Sequence, residues 1–462
     1  MKILYDQRLE NRTTTPAWVL SSFGDDALAQ RPNNGRPAPQ PKARRLATPH
    51  PGVTLARDSC SACFPISSPP ILVPKLSLRP PITVVITLEG LATSALGCYG
   101  CSWNDTPAID ALAATGVTWD RWTSPIDRPA GLITRWLQDS RELIAREAQP
   151  NEQTQAQPNE ADSTASVFLT DDPKLTLPDD QFGFAQAIVL EPTLKRLPAE
   201  SVESTVIAQA FASAINTVTT KTRLLWIHSG MLRDHWDAPA TDDDDREQES
   251  EPVEDHDPQR PTAAEPFFLP PSTDPPASKL SESDDPDLLF AWMQRYAAQV
   301  RLLDQMIELL GDSLRNRRPT ILLAGASGFS LGENGFLGHH VGPLRSPDLR
   351  LPMLVSSGGP LRVPSLQSAT DLPELLQRMA DNRPLVTPTQ WCQRDEAGSL
   401  SVQTDSDRAV KSITTSKWFY VNDAQVSGNE GEHLYVKPDD VNDVNDISRL
   451  RREVLNQFSS VP

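Results

Sequence analysis

Three short apolar runs constrain this chain more than any other feature: ITVVITL (82–88), RLLWIHS (223–229) and PTILLAG (319–325). Each is apolar almost throughout and does not alternate with polar residues. That is the pattern of a strand buried on both faces, as in a parallel sheet covered by helices. SVFLTDD (166–172), AIVLE (187–191) and LPMLVSS (351–357) read as further strands. Helical stretches lie between them. Thr106 as N-cap, Pro107 at the first helical position and Gly116 as the stop frame a helix with Ile109, Leu112 and Ala113 on one face. Residues 129–147 read as one helix, and 201–221 as another with Val206, Ala210 and Ile215 among its apolar positions. A long helix is predicted from Pro286 to Leu314, with Leu289, Trp292, Tyr296, Val300, Leu303, Ile307 and Leu310 in one stripe. The alternation predicts an α/β fold: a central, mostly parallel sheet sandwiched by helices, with a small C-terminal α+β subdomain. Such sheets place ligands at the carboxyl ends of their strands. The segments after Leu88, Ile227 and Gly325 should therefore meet, together with the turn at Asp127.

Composition sets the domain limits and excludes some partners. Residues 1–79 are rich in Pro, Arg and Ser without periodicity and read as a disordered extension. The α/β domain is expected over 80–365 and the subdomain over 366–462. A low-complexity loop (148–163) repeats AQPNE, and an acidic, Pro-rich exposed insertion covers 241–285. The formal charge of −18 argues against nucleic acid. The insertion is a candidate surface for a protein partner. No apolar run approaches the roughly 20 residues that span a bilayer. The N-terminus lacks the apolar core of a secretory signal, so a cytoplasmic protein without membrane contact is expected. Five cysteines are too few for a disulfide scaffold at this length. Cys60/Cys63 and Cys98/Cys101 have C-x-x-C spacing, but the gap between the pairs exceeds common zinc-ribbon spacings. They read as unrelated thiol pairs rather than a zinc site.

Several ordered motifs, spread from about Pro80 to Val461, carry a family resemblance. VVITLEGLATSALGCYG…TPAIDALAATGVTWDRWTSP, YAAQVRLLDQMIELLGDSL, LLAGASGFSLGENGFLGHH and HLYVKPDDVNDVND follow one another in order. The chain resembles sulfatases of the alkaline-phosphatase-like superfamily. The resemblance implies that fold, a divalent cation (usually calcium) held by carboxylates, and a formylglycine nucleophile made from the Cys or Ser of C/S-x-P-S-R.

The site residues depart from that pattern. Glu89 matches the first acid of the pair after the first strand, and Gly90 replaces the second. Ala326 and Ser327 stand where the later loop supplies two more ligands, so Glu89 and Ser327 are what remains of the metal set. Asp127 holds the nucleophile position, followed by Arg128, then Pro129, Ala130 and Gly131 at the family's Pro, Ser and Arg. An Asp cannot become formylglycine. His228 and His340 match family histidines, and His339 falls where a substrate-binding lysine is usual. His235 has a different spacing from its nearest family counterpart.

The remnant set is therefore Asp127, His228 and His340 as catalytic positions, His339 and Arg128 for substrate, and Glu89 and Ser327 for metal. It implies a sulfatase-like protein impaired or inactive as a sulfuric ester hydrolase, which binds an anionic or sulfated ligand or a protein partner. The alternative is an active metal-dependent sulfate or phosphate ester hydrolase with a rebuilt site, its metal on Glu89, Asp127 and His340. Carboxylates beside histidines suit a transition metal such as zinc.

Overall fold

The computed structural model describes residues 81–148, 165–178, 180–239, 269–339, 342–387, 401–405, 410–423 and 431–460. The N-terminal extension, Cys60 and Cys63, nearly all of the AQPNE loop, residues 241–268 of the acidic insertion and His340 lie outside them. In chain order the elements are β1 (Thr83–Leu88), α1 (Pro107–Thr115), β2 (Gly116–Thr123), α2 (Pro129–Asp139), α3 (Arg141–Ala148), β3 (Ser166–Thr170), β4 (Gln186–Val189), α4 (Val206–Thr217), β5 (Leu224–Ser229) and the one-turn α5 (Met231–Asp234). There follow β6 (Ser278–Lys279), α6 (Pro286–Ser313), β7 (Thr320–Gly325), β8 (Ser330–Leu331), β9 (Phe336–Gly338), α7 (Ser346–Leu349), β10 (Arg350–Leu351), β11 (Met353–Gly358), β12 (Leu361–Ser368) and α8 (Leu372–Ala380). The chain closes with β13 (Ser401–Asp405), β14 (Val410–Thr415), β15 (Trp418–Asp423), β16 (Glu432–Val436) and α9 (Arg452–Ser459).

The main sheet has the order β10-β2-β11-β7-β1-β5-β3-β4, with β12 paired parallel to β2. β7, β1, β5, β3 and β4 run parallel, and β11 is antiparallel to both β7 and β2. Two reversals restore the direction, so β2 points the same way as β1. The ends of β1, β2, β3, β5 and β7 therefore share one edge of the sheet.

Alternation along the central strands separates two cores. Val84, Ile86, Leu225, Ile227, Ile321 and Leu323 face α4 and α6, whose stripe runs from Tyr296 to Leu310. Val85, Trp226, Leu322 and Ala324 face α2, α3 and α8, including Trp136 and Leu376. Double-sided burial is why the runs are apolar without alternation.

The local signals differ in detail from the expectation. Thr106 does not cap α1. Its Oγ1 accepts from Gly97 N at 3.0 Å, while the amides of Ala108 and Ile109 donate to the Asp304 carboxylate of α6 at 3.0 and 2.8 Å. Gly116 is extended and opens β2, and a Cβ there would collide with the Val355 carbonyl. Residues 129–147 form two helices that break at the buried Ser140.

The small four-stranded antiparallel sheet (β13–β16) starts at Ser401, whereas residue 366 lies inside β12, and α8 packs into the larger core. Of the expected exposed insertion, residues 269–285 are described and are tied to the fold. Thr273 is buried and accepts from Trp236 N at 2.8 Å, and β6 pairs with β9. Among the described residues no helix is long and apolar enough to cross a membrane.

Candidate functional site

Backbone hydrogen bonds interlock the shared edge just beyond the strands. Glu89 N donates to Ser229 O at 3.0 Å, Gly90 N to Ser327 O at 3.1 Å and Ala326 N to Leu88 O at 2.6 Å. These bonds fix where each following side chain starts. Glu89 and His228 are fully buried, Asp172 and Ser327 are 2 % exposed, and Asp127 is 4 % exposed.

Glu89 has two neighbours. One guanidinium nitrogen of Arg233 donates to Glu89 Oε2, and His228 Nε2 lies 3.4 Å from Glu89 Oε1. Arg233 sits on the single turn of α5, so the helical turn after β5 brings it back over the end of β1. Asp234 holds the other side of the guanidinium, with Arg233 Nε donating at 2.7 Å, and Asp234 in turn accepts from Lys174 Nζ at 3.0 Å. Burial keeps the His228 imidazole below its usual pKa, so it is neutral near pH 7. Its Nδ1 lies 3.2 Å from Thr87 Oγ1, which also accepts from Trp226 Nε1 at 3.1 Å.

β3 contributes two carboxylates to the same edge. Asp171 accepts from Ser229 Oγ at 2.6 Å and from Gly230 N at 2.9 Å, and burial pushes its carboxyl up to about 6. Asp172 accepts from Lys174 N at 2.9 Å through Oδ1. Glu89, Asp172 and His228 each offer a ligand atom within 4.8 Å of the others.

The structure brings Glu89 and His228 together. Ser327 is at the same edge, with its Oγ accepting from Gly90 N at 2.8 Å. Asp127 follows the end of β2 in a turn where Ser124 Oγ accepts from Ile126 N at 3.1 Å, and it is not part of the Glu89 grouping. Arg128 is exposed and precedes Pro129 at the start of α2. His339 is half-buried with Nδ1 3.1 Å from Gly328 O, also outside the grouping. His235 is buried, with Nε2 3.9 Å from Asp237 Oδ2. Neither of two cavities, of about 320 and 250 Å³, is lined by Glu89, Asp127, His228 or His339.

Sequence reasoning passed over Asp171, Asp172 and Arg233. A signal for the first two existed, since Asp-Asp directly after an apolar parallel strand falls at the ligand edge. Arg233 carried no such mark.

The residues present do not fit the calcium that the resemblance implies. Calcium takes roughly six to eight oxygen ligands. Here Ala326 offers a buried methyl, Ser327 Oγ is engaged by Gly90 N, and Glu89 is already paired with a cation. Gly90 cannot regain an acid in place: its φ is +78°, and a Cβ would stand 2.8 Å from Arg233 N.

No family model and no curated protein matches the sequence. Solved structures do match. A phosphonate monoester hydrolase of Agrobacterium radiobacter superposes with a TM-score of 0.55 at 15% identity, over 82% of this chain and 94% of that one. A second phosphonate monoester hydrolase, from Silicibacter pomeroyi, gives 0.53 at 11% identity over 82% and 94%. A 2-O GAG sulfatase gives 0.51 at 12% identity over 83% and 91%. The fold is the alkaline-phosphatase-like fold of sulfatases and phosphonate monoester hydrolases, and at these identities the likeness is one of fold.

Proposed function

We propose that this chain is a sulfatase-like protein that does not hydrolyse sulfuric esters by the calcium- and formylglycine-dependent route and instead binds an anionic ligand. The observation that carries this reading is the buried Arg233–Glu89 pair. A metal-dependent site needs that carboxylate facing a cation that in turn faces the substrate. Here the chain's own guanidinium occupies Oε2 of that carboxylate, with both side chains almost wholly out of water, and only Oε1 is left over. A carboxylate at Asp127 also carries the same sign of charge as an incoming sulfate ester, which opposes its attack.

The ligand reading rests on the cavity of about 250 Å³, whose lining includes Arg121 and Arg350 beside Asp120, together with Lys437, which is paired with Asp443. Calorimetry with inorganic sulfate, an aryl phosphate and a sulfated monosaccharide tests it. Heat with one of these that is lost in Arg350→Gln supports the reading, and no heat with any of them rejects it.

The alternative is an ester hydrolase with a rebuilt site. In its favour, His228, near the end of β5, and Asp127, past the end of β2, are both buried at one edge of the sheet. Turnover of aryl sulfates, phosphates or phosphonates that disappears in Asp127→Asn would establish it.

A further inference from the structure

The atoms left over at the Glu89 cluster form a pattern of their own. Each of three side chains has one polar atom fixed and one without a hydrogen-bond partner. Glu89 Oε2 is held by Arg233, Asp172 Oδ1 by Lys174 N, and His228 Nδ1 by Thr87 Oγ1. The partners left over are Glu89 Oε1, Asp172 Oδ2 and His228 Nε2, all buried. The three residues come from the ends of β1, β3 and β5 and offer ligand atoms within 4.8 Å of one another.

The hydrogen bonds around Thr87 favour one imidazole tautomer. Thr87 Oγ1 accepts from Trp226 Nε1 and can donate to Ile227 O at 3.4 Å. Its remaining lone pair is satisfied if His228 donates from Nδ1. Nε2 then carries a lone pair, 3.4 Å from a carboxylate oxygen and not aligned with it as a hydrogen bond. Two lone-pair atoms at that distance, both buried, repel unless a cation sits between them. The separation also matches the edge of a tetrahedron with zinc bonds of roughly 2.0–2.1 Å, which is about 3.3 Å.

We propose that Glu89, Asp172 and His228 form a site for one divalent transition cation of the zinc class, tying together the ends of β1, β3 and β5. One imidazole and two carboxylates suit such a metal better than calcium. Arg233, Lys174 N and Thr87 act as the outer partners that orient the ligands. The site is distinct from the calcium set implied by the resemblance, sharing only Glu89 with it. It does not depend on whether the protein hydrolyses esters.

Metal content of the untagged full chain, purified from zinc-supplemented cells, is the test, with cobalt(II) as a spectroscopic probe. The expected result is about one zinc per chain and a cobalt spectrum without thiolate charge-transfer bands. Zinc should persist in a Cys98→Ser/Cys101→Ser variant and fall at least tenfold in Asp172→Asn and Glu89→Gln, with circular dichroism confirming that each variant is folded. In the wild type, zinc should raise the melting temperature and calcium should not, a comparison that needs no variant. Failure of the wild type to bind zinc, cobalt or manganese would overturn the site and mean that a proton bridges Glu89 and His228. Zinc retained in folded Asp172→Asn and Glu89→Gln, or lost with the cysteines, would also overturn it.

Discussion

The guanidinium of Arg233, on the single turn of α5, donates to Glu89 Oε2 at the end of β1. Glu89 is fully buried and the Arg233 side chain is 11% exposed. A pair this deep contributes little net stability while intact, but breaking it strands a charge out of water. Arg233→Gln should therefore destabilise the fold by about 3–5 kcal/mol in urea unfolding. Adding Glu89→Gln to it should recover part of the loss. Additive losses in the double variant would show that the two residues are not coupled.

Restoring the missing acid should not restore a metal site. In Gly90→Asp the new side chain must adopt a φ near +78° with its Cβ against the Arg233 backbone. The expected cost is about 2–5 kcal/mol, with no calcium binding by calorimetry. A Gly90→Asp protein of wild-type stability that binds calcium would contradict this.

Tyr296 joins the long helix to the loop after β1. Its hydroxyl accepts from Ala92 N and donates to Gly90 O, each at 2.8 Å. Tyr296→Phe keeps the ring and leaves both backbone groups buried without this partner. A loss of about 1–3 kcal/mol is expected from denaturant unfolding. A neutral result would mean that the loop re-pairs elsewhere.

Asp304 caps α1 from α6, and burial pushes its carboxyl up to about 6 from 3.8 despite the two amides that favour its charge. A carboxyl with a raised folded pKa contributes most below its unfolded value, and that contribution is lost as pH rises through the folded one. The unfolding free energy of the wild type minus that of Asp304→Asn should fall by up to roughly 3 kcal/mol between about pH 4 and pH 7. Urea titrations at several pH values measure it, and a flat difference would contradict it.

How much the sequence discloses depends on how local the cause is. β1, β5 and β7 are legible because burial on both faces leaves an unbroken apolar run. β2 escapes because Asp120 and Arg121 interrupt it; there Arg121 reaches Ser416 O and Asp120 meets Arg362. Thr106-Pro107 marks the start of α1 correctly, yet the cap comes from Asp304, almost 200 residues on. The Glu89–His228 meeting follows from two adjacent parallel strands in register. Arg233 pairs with Glu89 only through the angle at which α5 leaves β5, which no local pattern encodes. Asp172 was visible as a residue but joins the site through the β3–β5 pairing, a long-range fact.

Aryl sulfate hydrolysis by the purified wild type in calcium, beside Glu89→Gln and Asp127→Asn, decides whether Glu89 serves a catalytic calcium. No turnover above that of the two variants is expected. Calcium-dependent turnover that both substitutions abolish would contradict it, because Glu89 would then be holding a catalytic calcium ion.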